Sequence, residues 1–61
     1  MGSYRVLVKL ADMPKAMGLG SDGYLVSKKL FQLIFSLENA EKAAEQIRAD
    51  FPDATVTVRP F

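Results

Sequence analysis

The segment "SLENAEKAAEQIRADFP", residues 36–52, decides the architecture because it has every feature of one amphipathic helix. Ser36 belongs to the residue types that cap free backbone amides, and Glu38 suits the positive end of the helix dipole. Pro52 stops the helix. Apolar residues recur at helical spacing: Leu37, Ala40, Ala43, Ala44, Ile47 and Phe51. We predict one helix that packs on a sheet through this stripe.

Three segments outside the helix have the alternation and the β-branched or aromatic content of strands, namely 4–10, 30–35 and 55–59. The last two flank the helix, so they are expected to be parallel, joined by a right-handed crossover. The first strand then fits between them, antiparallel to both. We predict an α+β fold with a three-stranded sheet in order 2-1-3, a split βαβ unit or half of a ferredoxin-like fold. The helix-facing residues are expected to be Val6, Val8, Leu10, Phe31, Leu33, Phe35, Val56 and Val58.

The length of 61 residues indicates a single small domain, 1–61, and residues 11–23, with Pro14 and three glycines, are predicted to be a flexible loop. The chain has no cysteine and no histidine, which excludes disulfides, thiolate metal sites and a histidine base. No cofactor is expected. The paired carboxylates on the helix lie on its solvated face, so no catalytic residue is assigned and the protein is predicted not to be an enzyme.

The loop contains Gly18, Gly20 and Gly23 in the spacing G-x-G-x-x-G, which binds phosphates in larger proteins. A dinucleotide site needs a helix directly after this motif, but Tyr24-Leu25-Val26 has the composition of an extended segment. We therefore interpret these glycines as turn residues that supply positive φ angles. A weaker alternative is a ligand or divalent cation in this loop, held by Asp12, Ser21 and Asp22.

Charge is distributed unevenly along the chain. Residues 38–53 contain five acidic and two basic residues, whereas the remainder contains six basic and two acidic residues. Strand parity collects cations and aliphatic residues on the sheet face opposite the helix. The predicted partner-binding residues are Arg5, Leu7, Lys9, Lys28, Lys29, Leu30, Ile34 and Arg59.

Several partners fit a cationic and partly apolar sheet face. A larger protein or a protein–nucleic-acid complex is favoured, and nucleic acid alone is the alternative. Against nucleic acid, Phe31 and Phe35 are expected to face inward, away from any base. A homodimer can form through the open sheet face or through an edge strand, 30–36 or 55–59, although Pro60 blunts the second edge. An ordinary solvated face is the structural alternative.

The stretch 31–58, "FQLIFSLENAEKAAEQIRADFPDATVTV", resembles a half-unit of the SPOR peptidoglycan-binding domain. The resemblance consists of a strand, a serine cap, a Glu-Asn-Ala-Glu helix and a further strand, and it covers under half of the chain. The full family has a second βαβ half and an exported location that are not found here. Its function is therefore not carried over.

No signal peptide and no apolar run long enough to span a membrane are present, so we expect a cytoplasmic protein with no membrane partner. The hypothesis from sequence is a non-enzymatic inhibitor or modulator that acts by covering a protein surface, in the manner of small phage accessory proteins of the anti-CRISPR type. The alternative hypothesis is a nucleic-acid-binding module that uses the basic face of the sheet.

Overall fold

A computed structural model describes residues 2–21 and 23–61. The predicted role of Asp22 in a cation site therefore lies outside the described residues. The chain forms one helix and a four-stranded antiparallel sheet in the order β3-β2-β1-β4. The elements are β1 (Tyr4–Lys9), β2 (Met17–Leu19), β3 (Leu25–Val26), a 3₁₀ helix (Lys29–Phe31), α1 (Leu37–Asp50) and β4 (Thr55–Pro60).

The helix and the first and last predicted strands, 4–10 and 55–59, are confirmed. The backbone amide of Asn39 donates to Ser36 Oγ at 3.3 Å, so Ser36 caps α1 as its residue type predicts. The helix ends at Asp50, before Pro52. β1 and β4 pair antiparallel over six residues each, from Tyr4 opposite Pro60 to Lys9 opposite Thr55.

The predicted strand at 30–35 is wrong, and so is the three-stranded order 2-1-3 with its half ferredoxin-like topology. Lys29–Phe31 forms a 3₁₀ helix, and only isolated bridges follow, between Gln32 and Gly20 and between Phe35 and Tyr4. The place beside the second half of β1 is taken by β2, inside the stretch 11–23 that was predicted to be a loop. The apolar composition of 30–35 misled the prediction because the same residues can cover a sheet as well as extend it.

The core is small and lies between α1 and the β1–β4 pair. The fully buried apolar residues are Val6, Val8, Ala40, Ala44 and Val56. Their alternation with exposed or half-buried neighbours places the even-numbered residues of β1 and β4 toward the helix, as predicted. Alanines on the helix allow close approach to the valines of the sheet, so the core contains no large side chain.

The opposite side of the sheet, here called the outer face, is not bare. Leu7 lies directly across from Gly18, so both residues point away from the helix. The side-chain amide of Gln32 lies against Gly18 where a Cβ would project, which places the side chain of Gln32 on the outer face. We call residues 27–34 the covering segment. Phe31 is 58% exposed on this segment, and the prediction that it faces the helix is wrong.

The glycines of the G-x-G-x-x-G spacing have structural roles. Gly23 has a φ of +86°, which confirms the predicted use of glycine for a positive φ at that position. Gly18 has a different role, because it lies in β2 beneath the amide of Gln32 and has no room for a side chain. A strand rather than a helix follows the spacing, at Leu25–Val26, which removes the geometry of a dinucleotide site.

The sheet edges also differ from those predicted, since they are β3 and β4. The amide of Phe61 donates to the carbonyl of Ser3 in the β1–β4 register, and alternation from this pair directs the backbone groups of Val56 and Val58 to the free edge. Arg48 Nη2 donates to the Val56 carbonyl at 2.8 Å. Arg48 and the proline at position 60 thus protect the edge of β4 at both ends.

Candidate binding surface

Two of the predicted binding residues face each other on neighbouring strands. Arg5 of β1 and Arg59 of β4 are directly opposite in register, and both point to the outer face because they alternate with the inward valines. Like charges at directly opposed positions of an antiparallel pair repel each other. Within residues 2–21 and 23–61, no carboxylate lies within 4 Å of either guanidinium, and the only ion pair is Lys42 with Glu38. Among the described residues, the arginine pair therefore has no compensating carboxylate.

Gln32 of the covering segment holds one of these arginines in place. Arg5 Nη1 donates to Gln32 Oε1 at 3.3 Å, and Gln32 Nε2 donates to the Val26 carbonyl at 3.4 Å. The side chain of Gln32 is only 8% exposed and is the one buried polar residue among those described. Its orientation is fixed because reversing the amide would place its donor against the guanidinium and its acceptor against the carbonyl.

The guanidinium of Arg5 is incompletely satisfied. Its Nε is buried and has no hydrogen-bond partner, and within residues 2–21 and 23–61 Nη1 donates only to the neutral amide of Gln32. Arginine remains charged in proteins, and a buried polar group without a partner destabilises the state that contains it. Because Nε is buried, an external acceptor that carries negative charge would have to approach this guanidinium at its Nη atoms.

Large apolar side chains are exposed on the segment that contains Gln32. Leu30 is 84% exposed and Ile34 is 61% exposed, and both belong to the covering segment. Leu30 and Phe31 line a shallow hollow of about 420 Å³ together with Ser21, Val26 and Gln32. The same Gln32 that contacts Arg5 therefore also borders this hollow.

The remaining predicted residues surround this centre. Leu7 and Lys9 follow Arg5 along β1 on the outer face and are half-buried. Lys28 is exposed beside a second, shallower depression that it lines with Met17 and Phe31. Lys29 Nζ lies 5.0 Å from the centroid of the Phe61 ring, a cation–π contact across the outer face. The structure thus places all eight predicted residues on the outer face or on the segment that covers it.

Sequence reasoning missed Phe31 and Phe61 as members of this surface, and it did not predict that Gln32 is buried there. A lone glutamine in a strand pattern gives no signal that it is buried. A usable signal was the glycine at position 18, since a glycine inside a strand indicates close approach by another group. Phe31 was misplaced because the 3₁₀ helix changes the side-chain alternation on which its assignment depended.

A second apolar feature lies on the helix side of the sheet. The end of α1 leaves β2 and β3 partly uncovered, and a groove of about 240 Å³ remains there. Its lining residues are Val8, Leu10, Leu19, Gly23, Tyr24, Leu25, Ile47 and Phe51. The groove is almost wholly apolar and is separated from the arginine pair by the thickness of the sheet.

Two other kinds of feature were sought among the described residues, namely a metal site and a membrane-spanning helix. In residues 2–21 and 23–61, no group of three or more acidic side chains is placed to hold a metal ion. Over the same residues, no helix combines the length and apolar character needed to cross a lipid bilayer. Comparison with protein-family models, curated proteins and solved structures gave no match to this chain. The resemblance to half of a SPOR domain has no support from these comparisons.

Proposed function

We propose that the protein is a binding module for another protein, and that the outer face with its covering segment is the contact surface. The observation that carries this proposal is that small apolar side chains fill the core while large ones are exposed on the surface. The buried core consists of valines and alanines, whereas Leu30, Phe31 and Ile34 are each more than half exposed on one short segment. A contiguous exposed apolar patch rimmed by polar residues is typical of a protein interface.

The cations support the same proposal. Arg5 contacts Gln32 on the segment that carries the apolar patch, and Arg59 lies opposite Arg5 on the neighbouring strand. Interfaces are enriched in arginine and aromatic residues at their centre, and a few such residues supply most of the binding free energy. Leu30 is therefore proposed as the apolar anchor of the interface, and the arginine pair as its polar anchor.

The experiment that tests this function is selection of ligands from a displayed random-peptide library, compared between three proteins. The wild type and the Leu37→Asp variant should select the same peptides, while Leu30→Asp should not retain them. Leu37 is a matched control because it is also an exposed leucine, and an acid in the first turn of α1 suits the helix dipole. Equal binding by Leu30→Asp, or no selectable ligand for the wild type, would overturn the proposal.

Nucleic-acid binding is retained as the second candidate because the structure exposes an aromatic ring that the sequence placed inward. Phe31 and the Lys29–Phe61 pair offer rings and cations together, a combination that binds single strands. This candidate predicts binding of short oligonucleotides that weakens steeply between about 50 and 200 mM salt. Replacement of Phe31 by alanine should then reduce oligonucleotide affinity, while Leu30→Ala should not.

A finer form of the first proposal is an inhibitor or modulator of a larger protein, including one of the anti-CRISPR type. It rests on the same exposed surface, because an inhibitor of this kind acts by covering a surface of its target. Its test is functional: the added protein should slow target cleavage by a CRISPR nuclease complex, and Leu30→Asp should abolish the effect. Binding without any effect on such complexes would limit the protein to the broader class.

A further inference from the structure

We infer that Arg5, Arg59 and Gln32 form a receptor for a carboxylate, and that the protein partner contributes an aspartate or glutamate side chain within an acidic, apolar segment. This inference rests on the proposed function, because it specifies the chemistry of the partner at the same surface. It makes a separate prediction, since an apolar interface at Leu30 can exist without any carboxylate.

The first argument is the unbalanced charge of the site. Arg5 and Arg59 are opposed in register, and among the described residues neither has a carboxylate within 4 Å. An incoming carboxylate would remove the repulsion between them and gain two charge-assisted donors. An isolated cation on the surface has no such repulsion to relieve.

The second argument is the preorganisation of Arg5. Gln32 accepts from Nη1 and is itself anchored on the Val26 carbonyl, so the guanidinium is held before any ligand arrives. The buried, unpartnered Nε shows that the free protein does not satisfy this group internally. Binding to a fixed guanidinium loses little side-chain entropy, which favours affinity.

The third argument concerns the class of partner. Two of the three exposed apolar side chains of the covering segment, Leu30 and Ile34, are aliphatic and offer no ring on which a base can stack, whereas Phe31 offers one. Aliphatic side chains suit the apolar residues of a peptide chain, whose acidic residues would reach the arginine pair. The mainly aliphatic character of the segment, and not the charge of the surface, therefore favours an acidic protein segment over a nucleic acid.

The test uses two synthetic peptides, one of alternating glutamate and leucine and one with glutamine in place of each glutamate. Titration is followed by the NMR signal of the Arg5 Nε–H group and by the backbone signals of residues 28–34. The glutamate peptide should bind saturably and shift the Arg5 signal. Arg59→Gln and Arg5→Gln should each weaken it by about tenfold or more, while Lys15→Gln, an exposed cation outside the surface, should change affinity less than twofold.

The outcomes separate the two proposals. Equal binding of both peptides, lost in Leu30→Asp, would overturn the carboxylate receptor and leave the protein-binding function intact. Binding of neither peptide, with no selectable ligand in the library experiment, would overturn both. A shift of the Arg5 signal by a short single-stranded oligonucleotide but not by the glutamate peptide would overturn the inference in favour of nucleic acid. Because Arg59 is exposed, Arg59→Gln keeps the test valid even if Arg5→Gln unfolds.

Discussion

Gln32 lies across Gly18, and its side-chain amide fills the space that a Cβ on Gly18 would occupy. This relationship joins two parts of the chain that the sequence pattern assigned to different structures, a loop and a strand. It fixes the covering segment on the outer face and at the same time positions Arg5. The stability of the fold and the geometry of the proposed binding surface therefore depend on one contact.

Replacement of Gly18 by alanine should lower the free energy of unfolding by about 1–3 kcal/mol, because the added methyl group overlaps a buried side chain held at both ends. Urea unfolding measures the loss. The matched control is the same replacement in a Gln32→Ala background, where space is available and the cost should be much smaller. An equal cost in both backgrounds would show that close approach of Gln32 is not the reason for glycine.

Replacement of Arg48 by alanine should cost about 0.5–1.5 kcal/mol, the value of one hydrogen bond, and should expose the Val56 carbonyl at the edge of β4. The freed edge should also promote concentration-dependent association, measurable by sedimentation or light scattering. Lys42→Ala is the control, since its ion pair with Glu38 is solvent-exposed and worth little. If both variants remain equally monomeric at high concentration, Arg48 does not protect the edge.

Replacement of Ser36 by alanine should destabilise the fold by about 1 kcal/mol, because the amide of Asn39 loses its acceptor at the start of α1. For a domain of this size, that loss lowers the melting temperature by about 4–8 °C. Circular dichroism at the helix band follows the transition. Ser27→Ala, an exposed serine outside the helix, should leave the melting temperature unchanged; a similar drop in both variants would contradict the capping role.

Replacement of Val6 by alanine should cost about 2 kcal/mol, since two methyl groups leave a fully buried site and a cavity remains between Ala40 and Ala44. Val58→Ala is the control, because Val58 contacts the core but is only half-buried. Chemical unfolding should rank the two variants clearly. A larger loss of stability in Val58→Ala than in Val6→Ala would contradict the placement of Val6 at the centre of the core.

The sequence predicted the elements whose pattern is local and missed those that depend on contacts far along the chain. The period of α1, its serine cap and the alternation of β1 and β4 are each contained within one segment. The apolar composition of residues 30–35 fits a strand and an apolar cover equally well. Their contacts with β1 and β2, which the local sequence does not specify, determine which structure they form. β2 itself is three residues long and contains a glycine, so no alternation is available to read.

The sequence predicted which charged residues lie on the candidate surface but not how they are arranged relative to one another. Parity placed Arg5 and Arg59 on one face, yet their direct opposition depends on a register that no local pattern specifies. The buried glutamine and the exposed Phe31 follow from the 3₁₀ helix, which changes the direction of each side chain after Lys28. The charge of the surface was therefore predictable, whereas the receptor that it forms was not.

The register of the sheet has a consequence for synthesis. β1 is made first, but its longest partner is β4, and Tyr4 pairs with Pro60 across almost the whole chain. Before β4 has been made, β1 can pair only with β2, and β2 with β3, over two residues each, and such short pairings are marginal by themselves. The six-residue pairing of β1, and with it the burial of Val6 and Val8 against Val56, forms only after β4 has left the exit tunnel.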